Sequence, residues 1–145
     1  MLIYLDNCCF NRPFDDQNQL IIHLEARAVL GIQEKIITGE YSLIWSYMIS
    51  FENSNNPREI PRKEIAKWVE FARKPIVQES PALLQEARYL MQQGVDLKDA
   101  IHVASAFIGK CDYFISTDKK LLNKLTGYTK INKANPINFI EEMGI

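Results

Sequence analysis

Apolar positions open the chain as an unbroken run, Leu2 to Leu5, closed by Asp6 and Asn7, the pattern of a buried strand feeding a loop. The segment Asn11-Arg12-Pro13-Phe14-Asp15-Asp16 extends that loop. From Gln17 to about Ile37 the period changes: Leu20, Ile21, Leu24, Ala28, Ile32 and Ile36 recur at three- and four-residue steps, predicting an amphipathic helix with Asp16 as its cap and Gly39 as its stop. Tyr41 to Trp45 is aromatic and β-branched, a second strand, and Ser46 then starts a short helix that carries Glu52 and breaks at Asn53-Ser54-Asn55-Asn56-Pro57.

Pro61 and Arg62 open a further helix through about Arg73, and Pro75 to Val77 is a brief third strand. Ser80-Pro81 begins a helix that ends near Gly94. Asp96 caps the next, which carries Asp99, Ala100, His102, Val103, Ala104 and Phe107. Tyr113 to Ser116 is a core strand with Asp118 just past its end. A last strand at Tyr128 to Ile131 and a closing helix from Pro136 complete the alternation. Strands alternating with helices predict an α/β fold: an α/β/α sandwich around a mainly parallel central sheet.

Length and charge narrow this picture. With 145 residues, 47% of them hydrophobic, the expectation is a single domain, 1–145, with a proper core. A net charge of −1 does not mark a nucleic-acid binder, although Lys119, Lys120, Lys124, Lys130 and Lys133 gather late in the chain. Three cysteines, Cys8 and Cys9 adjacent, do not form a disulfide framework, and no CxxC or HxxxH spacing supports a zinc site from Cys8, Cys9, Cys111 and His102. Without a basic leader or a long apolar stretch, the expectation is a soluble, cytoplasmic protein with no membrane contact.

The chemistry lies in four acids placed where element types change: Asp6, Glu52, Asp99 and Asp118. A carboxylate at the end of a core strand is costly unless its charge is offset, and a hard cation, Mg²⁺ or Mn²⁺, would offset it. In parallel α/β sheets the ligand crevice lies outside the carboxyl ends of the strands, where Asp6 and Asp118 project. Each acid also has an ordinary reading: Asp118 as a helix cap, Asp99 as a first-turn acid on the helix dipole, Glu52 as a solvated residue, Asp6 as an Asx-turn.

These residues give the chain a resemblance to the PIN domain family of metal-dependent ribonucleases, and within it to the VapC-like toxins of prokaryotic toxin–antitoxin pairs. The carriers are Leu-Ile-Tyr-Leu-Asp-Asn-Cys-Cys at the start, Ser46 to Glu52, Leu-Lys-Asp-Ala-Ile-His-Val-Ala-Ser-Ala around Asp99, and Tyr-Phe-Ile-Ser-Thr-Asp-Lys-Lys-Leu around Asp118. The resemblance implies that Asp6, Glu52, Asp99 and Asp118 hold Mg²⁺ or Mn²⁺ and cleave RNA endonucleolytically, with Ser116 or Thr117 in support. It also implies a homodimer, for which Leu24, Trp68 or Phe71 offer apolar contact, and a cognate antitoxin. Asn7, Ile49 and the Asn-rich break after Glu52 depart from the family pattern and leave the acids intact. Arg12, beside Asp6, is a candidate contact to substrate phosphate or to an antitoxin carboxylate. His102, one turn from Asp99, reads as mainly structural.

Two other classes compete. A haloacid dehalogenase-type phosphatase also uses a strand-end Asp with Mg²⁺, but it needs a second Asp two residues on, where Cys8 stands. A non-catalytic module holding RNA or a protein would gain nothing from four clustered acids.

Overall fold

A computed structural model describes residues 1–145. Its strands are β1 (Leu2–Leu5), β2 (Ser42–Leu43), β3 (Tyr113–Ile115) and β4 (Asn132–Ala134). They pair in the order β2-β1-β3-β4, every pair parallel. Its helices are α1 (Asn7–Asn11), α2 (Leu20–Ile37), α3 (Tyr47–Ser54), α4 (Glu59–Ala66), α5 (Pro81–Gln92), α6 (Leu97–Ile108), α7 (Lys119–Lys124) and α8 (Pro136–Met143). The architecture is the parallel α/β fold that the alternation predicts.

From β1 the chain crosses to β2 on one side, then returns past β1 to β3 on the other. Right-handed crossovers in opposite directions put their helices on opposite faces of the sheet. Accordingly α2 packs with α8, while α5, α6 and α3 form the other layer. Central strands buried on both faces read as continuous apolar runs, and Ile3, Tyr4, Leu5, Phe114 and Ile115 are all fully buried. The reversal between β1 and β3 makes a switch point at their carboxyl ends, and Asp6 and Ser116 are the first residues beyond them.

Several boundaries differ from the sequence reading. The loop expected after Asp6 begins with α1, whose cap is Asp6 itself, followed by a 3₁₀ turn at Arg12–Phe14. Asp16 makes an Asx turn onto the Asn18 N–H at 3.0 Å, and Gln19 occupies the α2 cap position. The helix expected through Arg73 ends at Ala66 and continues as a 3₁₀ turn over Lys67–Phe71. The strand expected at Pro75–Val77 is reduced to a single parallel bridge, Ser46 to Val77. The last strand is Asn132–Ala134, not Tyr128–Ile131, because Tyr128 uses its hydroxyl on Glu86 and both Tyr128 and Ile131 serve the core from outside the sheet. Gly39 and Gly94, at φ +82° and +94°, end their helices as expected.

Where α6 ends, it closes on the β2 side of the molecule. A Cβ built on Gly109 would lie 2.8 Å from Ile44 Cγ2 and 3.2 Å from the Ser105 carbonyl oxygen. Ile44 is buried, so Gly109→Ala is expected to cost about 1–3 kcal/mol in chemical denaturation. No helix is long and apolar enough to cross a membrane.

Candidate functional site

Asp6 is set by the strand that precedes it. Its backbone N–H continues the β1–β3 ladder to the Ile115 carbonyl at 3.0 Å, while its side chain caps α1 through the Asn7 N–H at 2.8 Å. The other carboxylate oxygen accepts from Ser116 Oγ at 2.8 Å and faces the Cys8 thiol at 3.5 Å. Ser116 is fully buried and also accepts the Asp118 N–H at 3.1 Å, so one hydroxyl joins the two strand ends that carry Asp6 and Asp118.

Asp118 is the cap of α7, its Oδ1 accepting the Leu121 N–H at 3.1 Å. The capping role is therefore real and coexists with a place at the sheet edge. Asp118→Ala is expected to lower stability by about 1 kcal/mol and Asp118→Asn by much less, measurable by urea unfolding.

Asp99 lies in the first turn of α6. Asp96 stands at the cap position, although its side chain makes no capping hydrogen bond. Burial, then the charges of Asp6 and Asp118 with a further contribution from Glu52, push the Asp99 carboxyl up to about 6, against the pull of His102. Among the charges that act on Asp99 are those of the three other acids, which come from separate parts of the chain.

Glu52 reaches the cluster through His102, whose ring is fully buried. The imidazole Nε2 lies 2.5 Å from Glu52 Oε1 and 3.8 Å from Asp6 Oδ1. Burial raises the Glu52 carboxyl, but the hydrogen bond and charge of His102, with Lys98 beside it, outweigh burial and hold it below the usual range. Burial likewise opposes a proton on His102, and the hydrogen bond it donates to Glu52, with the charges of Asp6, Glu52 and Asp99, reverses that direction to upward. Glu52, Asp96, Leu97, Lys98 and Asp99 line an open depression of about 440 Å³. The largest cavity, about 550 Å³ between Ile44, Val77, Ile108 and Lys110, touches none of the acids.

The remaining candidates are occupied inside the fold. Asn7 is buried, and its Nδ2 donates to the Ile49 carbonyl at 3.2 Å while its Oδ1 has no partner. Arg12 reaches Asp15 at 3.1 Å, Glu25 at 3.3 Å and Thr117 Oγ1 at 3.0 Å. Of the late lysines, Lys130 pairs with Glu86 at 2.9 Å and Lys133 donates to the Tyr128 carbonyl, whereas Lys119 and Lys120 are exposed beside Asp118. The contact of His102 with Glu52 was not legible in the sequence, where the two are 50 positions apart.

No group of three or more His, Cys, Asp or Glu side chains is already arranged to hold a metal ion. Each of Asp6, Glu52 and Asp118 directs an oxygen at an internal donor. The donor chemistry nevertheless suits a hard cation, since Asp6, Glu52, Asp99 and Asp118 offer carboxylate oxygens.

No protein-family model matches the chain, and no curated protein matches it in sequence. Two solved structures share its fold. FitAcB from Neisseria gonorrhoeae matches with a TM-score of 0.61 at 11% identity, over 92% of this chain and 97% of that one. VapBC2 from Rickettsia felis, bound to a DNA fragment from their promoter, matches at 0.58 and 10% identity, over 93% of this chain and 98% of that one. The fold is PIN-like. At such identities the likeness is one of architecture.

Proposed function

We propose that the chain is a metal-dependent endoribonuclease, the toxin of a toxin–antitoxin pair. One observation carries this reading: Asp6 and Asp118 meet through Ser116 beyond the switch point of the sheet, and His102, one turn along α6 from Asp99, bonds Glu52 and faces Asp6. The likeness to FitAcB and VapBC2 supports it at the level of fold.

Asp6, Asp99 and Asp118 would supply the oxygens that hold Mg²⁺ or Mn²⁺, with Glu52 alongside. A bound ion supplies charge that admits an anionic phosphodiester, lowers the pKa of water and stabilises charge on the phosphoryl oxygens. Ser116 fixes the rotamer of Asp6 by donating to its Oδ2. Lys98 beside Asp99 and Lys119 and Lys120 beside Asp118 are exposed and available to substrate phosphates. Phe51, half exposed with Lys98 Nζ 5.8 Å from its ring centre, offers a face on which an unpaired base can stack. The acids titrate as a coupled set, so the proton taken from water belongs to the cluster.

An antitoxin partner accounts for the apolar side chains left in solvent around this end, Leu20, Ile21 and Leu24 on α2 and Ile60 on α4. Leu24 and Phe71 are also free to serve a homodimer, whereas Trp68 is partly committed to the core.

Metal-dependent melting tests the reading. Mn²⁺ at about 100 times its Kd is expected to stabilise the wild type by about 2.7 kcal/mol and to leave Asp99→Asn much less affected. An unchanged melting temperature in millimolar Mn²⁺ would favour a non-catalytic binding module on the same fold.

A further inference from the structure

Behind Glu52 a chain of hydrogen bonds runs through the core. Ser46 Oγ lies 2.7 Å from the Tyr4 hydroxyl, which lies 2.6 Å from His102 Nδ1, and His102 Nε2 lies 2.5 Å from Glu52 Oε1. Ser46, Tyr4 and His102 are fully buried. The relay begins and ends on one helix, because Ser46 caps α3 through the Ile49 N–H at 3.3 Å and Glu52 lies further along it. Tyr4 precedes Asp6 on β1, and His102 follows Asp99 on α6. Three acid-bearing elements are thus joined by polar atoms at a level of the core that is otherwise apolar.

The donors can be assigned. With a neutral ring, Ser46 donates to Tyr4, Tyr4 donates to Nδ1, and Nε2–H donates to Glu52. With a protonated ring, Nδ1–H donates to Tyr4 and the phenol turns to donate to Ser46. The middle of the relay reverses between these states. Its outer end does not, since in both Nε2 carries the hydrogen facing Glu52. While Glu52 is ionised, one of its oxygens is therefore committed to an N–H donor, and a charge-assisted bond from a buried imidazole is among the strong ones.

We propose that Ser46, Tyr4 and His102 are positioning residues that clamp Glu52, fixing one of its oxygens and with it the direction in which the other faces the acid cluster. This rests on the metal-site reading and adds three buried residues that act on the site through Glu52. Ring and hydroxyl groups far from the substrate control the site through Glu52 alone.

That last consequence makes the proposal testable as a coupling. Tyr4→Phe removes one hydroxyl and keeps the ring, which stacks on Phe114 at 5.7 Å between centres. Mn²⁺ binding to metal-free protein is measured by calorimetry for the wild type, Tyr4→Phe, Glu52→Gln and the double variant. Each single change is expected to weaken Mn²⁺ about 10-fold, the scale of support behind a ligand, and the double variant to be no weaker than Glu52→Gln. Effects that multiply to about 100-fold, or a Tyr4→Phe variant that binds as the wild type does, would overturn the proposal. The ¹⁵N signals of the imidazole give a second readout, clear in a chain with two histidines. Glu52→Gln should shift Nε2 of His102 and Tyr4→Phe should shift Nδ1; a His102 spectrum indifferent to both would also overturn it. If the wild type binds no Mn²⁺, the metal-site reading fails, and these spectra decide whether the clamp itself exists. Should Tyr4→Phe not fold, His102→Gln takes its place in the same cycle.

Discussion

Asp99→Asn is expected to reduce metal-dependent RNA cleavage at least ~100-fold, the scale of removing one preorganised charged group, and at the same time to make the metal-free protein more stable at neutral pH. The sign follows from the direction of the carboxyl's displacement. Its ordinary value is 3.8 and the fold moves it to about 6, so the folded chain holds that proton more tightly than the unfolded chain does. Below about pH 4 the group is neutral in both states and contributes no penalty. As pH rises through the interval to 6 the folded state alone resists losing the proton, and the metal-free fold loses stability. Two pKa units correspond to ~3 kcal/mol, which solvent around a partly exposed side chain reduces to about 1 kcal/mol. Asparagine removes that cost. The first-turn position of Asp99 works the other way through the helix dipole, by ~0.3–1 kcal/mol at exposed sites, and burial together with the charges of Asp6, Asp118 and Glu52, which displaces the group upward, outweighs it. Urea unfolding in EDTA at pH 4 and pH 7 should find Asp99→Asn equal to the wild type at the first and more stable at the second. Equal stability at both would remove the repulsion argument.

Arg12→Ala is expected to cost about 3 kcal/mol of stability. The guanidinium joins Asp15, Glu25 and Thr117, and the Glu25 side chain is only 6% exposed. Truncation leaves that carboxylate in the interior without its partner, and breaking a buried pair is far more damaging than lacking one. Glu25→Gln in the Arg12→Ala background should recover a substantial part of the loss, since the amide needs no counter-charge. A residue acting only on substrate phosphate would behave differently: stability unchanged, KM raised. Calorimetric melting of the two variants separates these cases, and an Arg12→Ala protein as stable as the wild type would restore a substrate role.

The parts of this fold that were legible in sequence are those with a clear period or a long apolar run. The β1 run ending at Asp6, the helix of α6 and the strand before Asp118 are of that kind, and they deliver three of the four acids to one sheet edge. The short α1 was hidden because five residues, Asn-Cys-Cys-Phe-Asn, are too few to display a helical period; the cap at Asp6 was its one available signal. The strand β4 was misplaced because it lies at the sheet edge and reads Asn-Lys-Ala, while the more strand-like Tyr128 to Ile131 beside it packs by side-chain contacts instead. Ser116 was identified only by resemblance, and the structure places its hydroxyl between Asp6 and Asp118. The clamp on Glu52 was illegible because it depends on a tyrosine, a serine and a histidine brought together from β1, the start of α3 and α6. Read alone, each is an unremarkable core residue.

The most direct test of the central claim is cleavage of a mixed RNA pool by the purified wild type in Mn²⁺, in Mg²⁺ and in EDTA, with Asp99→Asn alongside. The account predicts internal cleavage by the wild type with either metal, none in EDTA and none by Asp99→Asn. Cleavage that persists in EDTA, or that Asp99→Asn performs as well as the wild type, would contradict it.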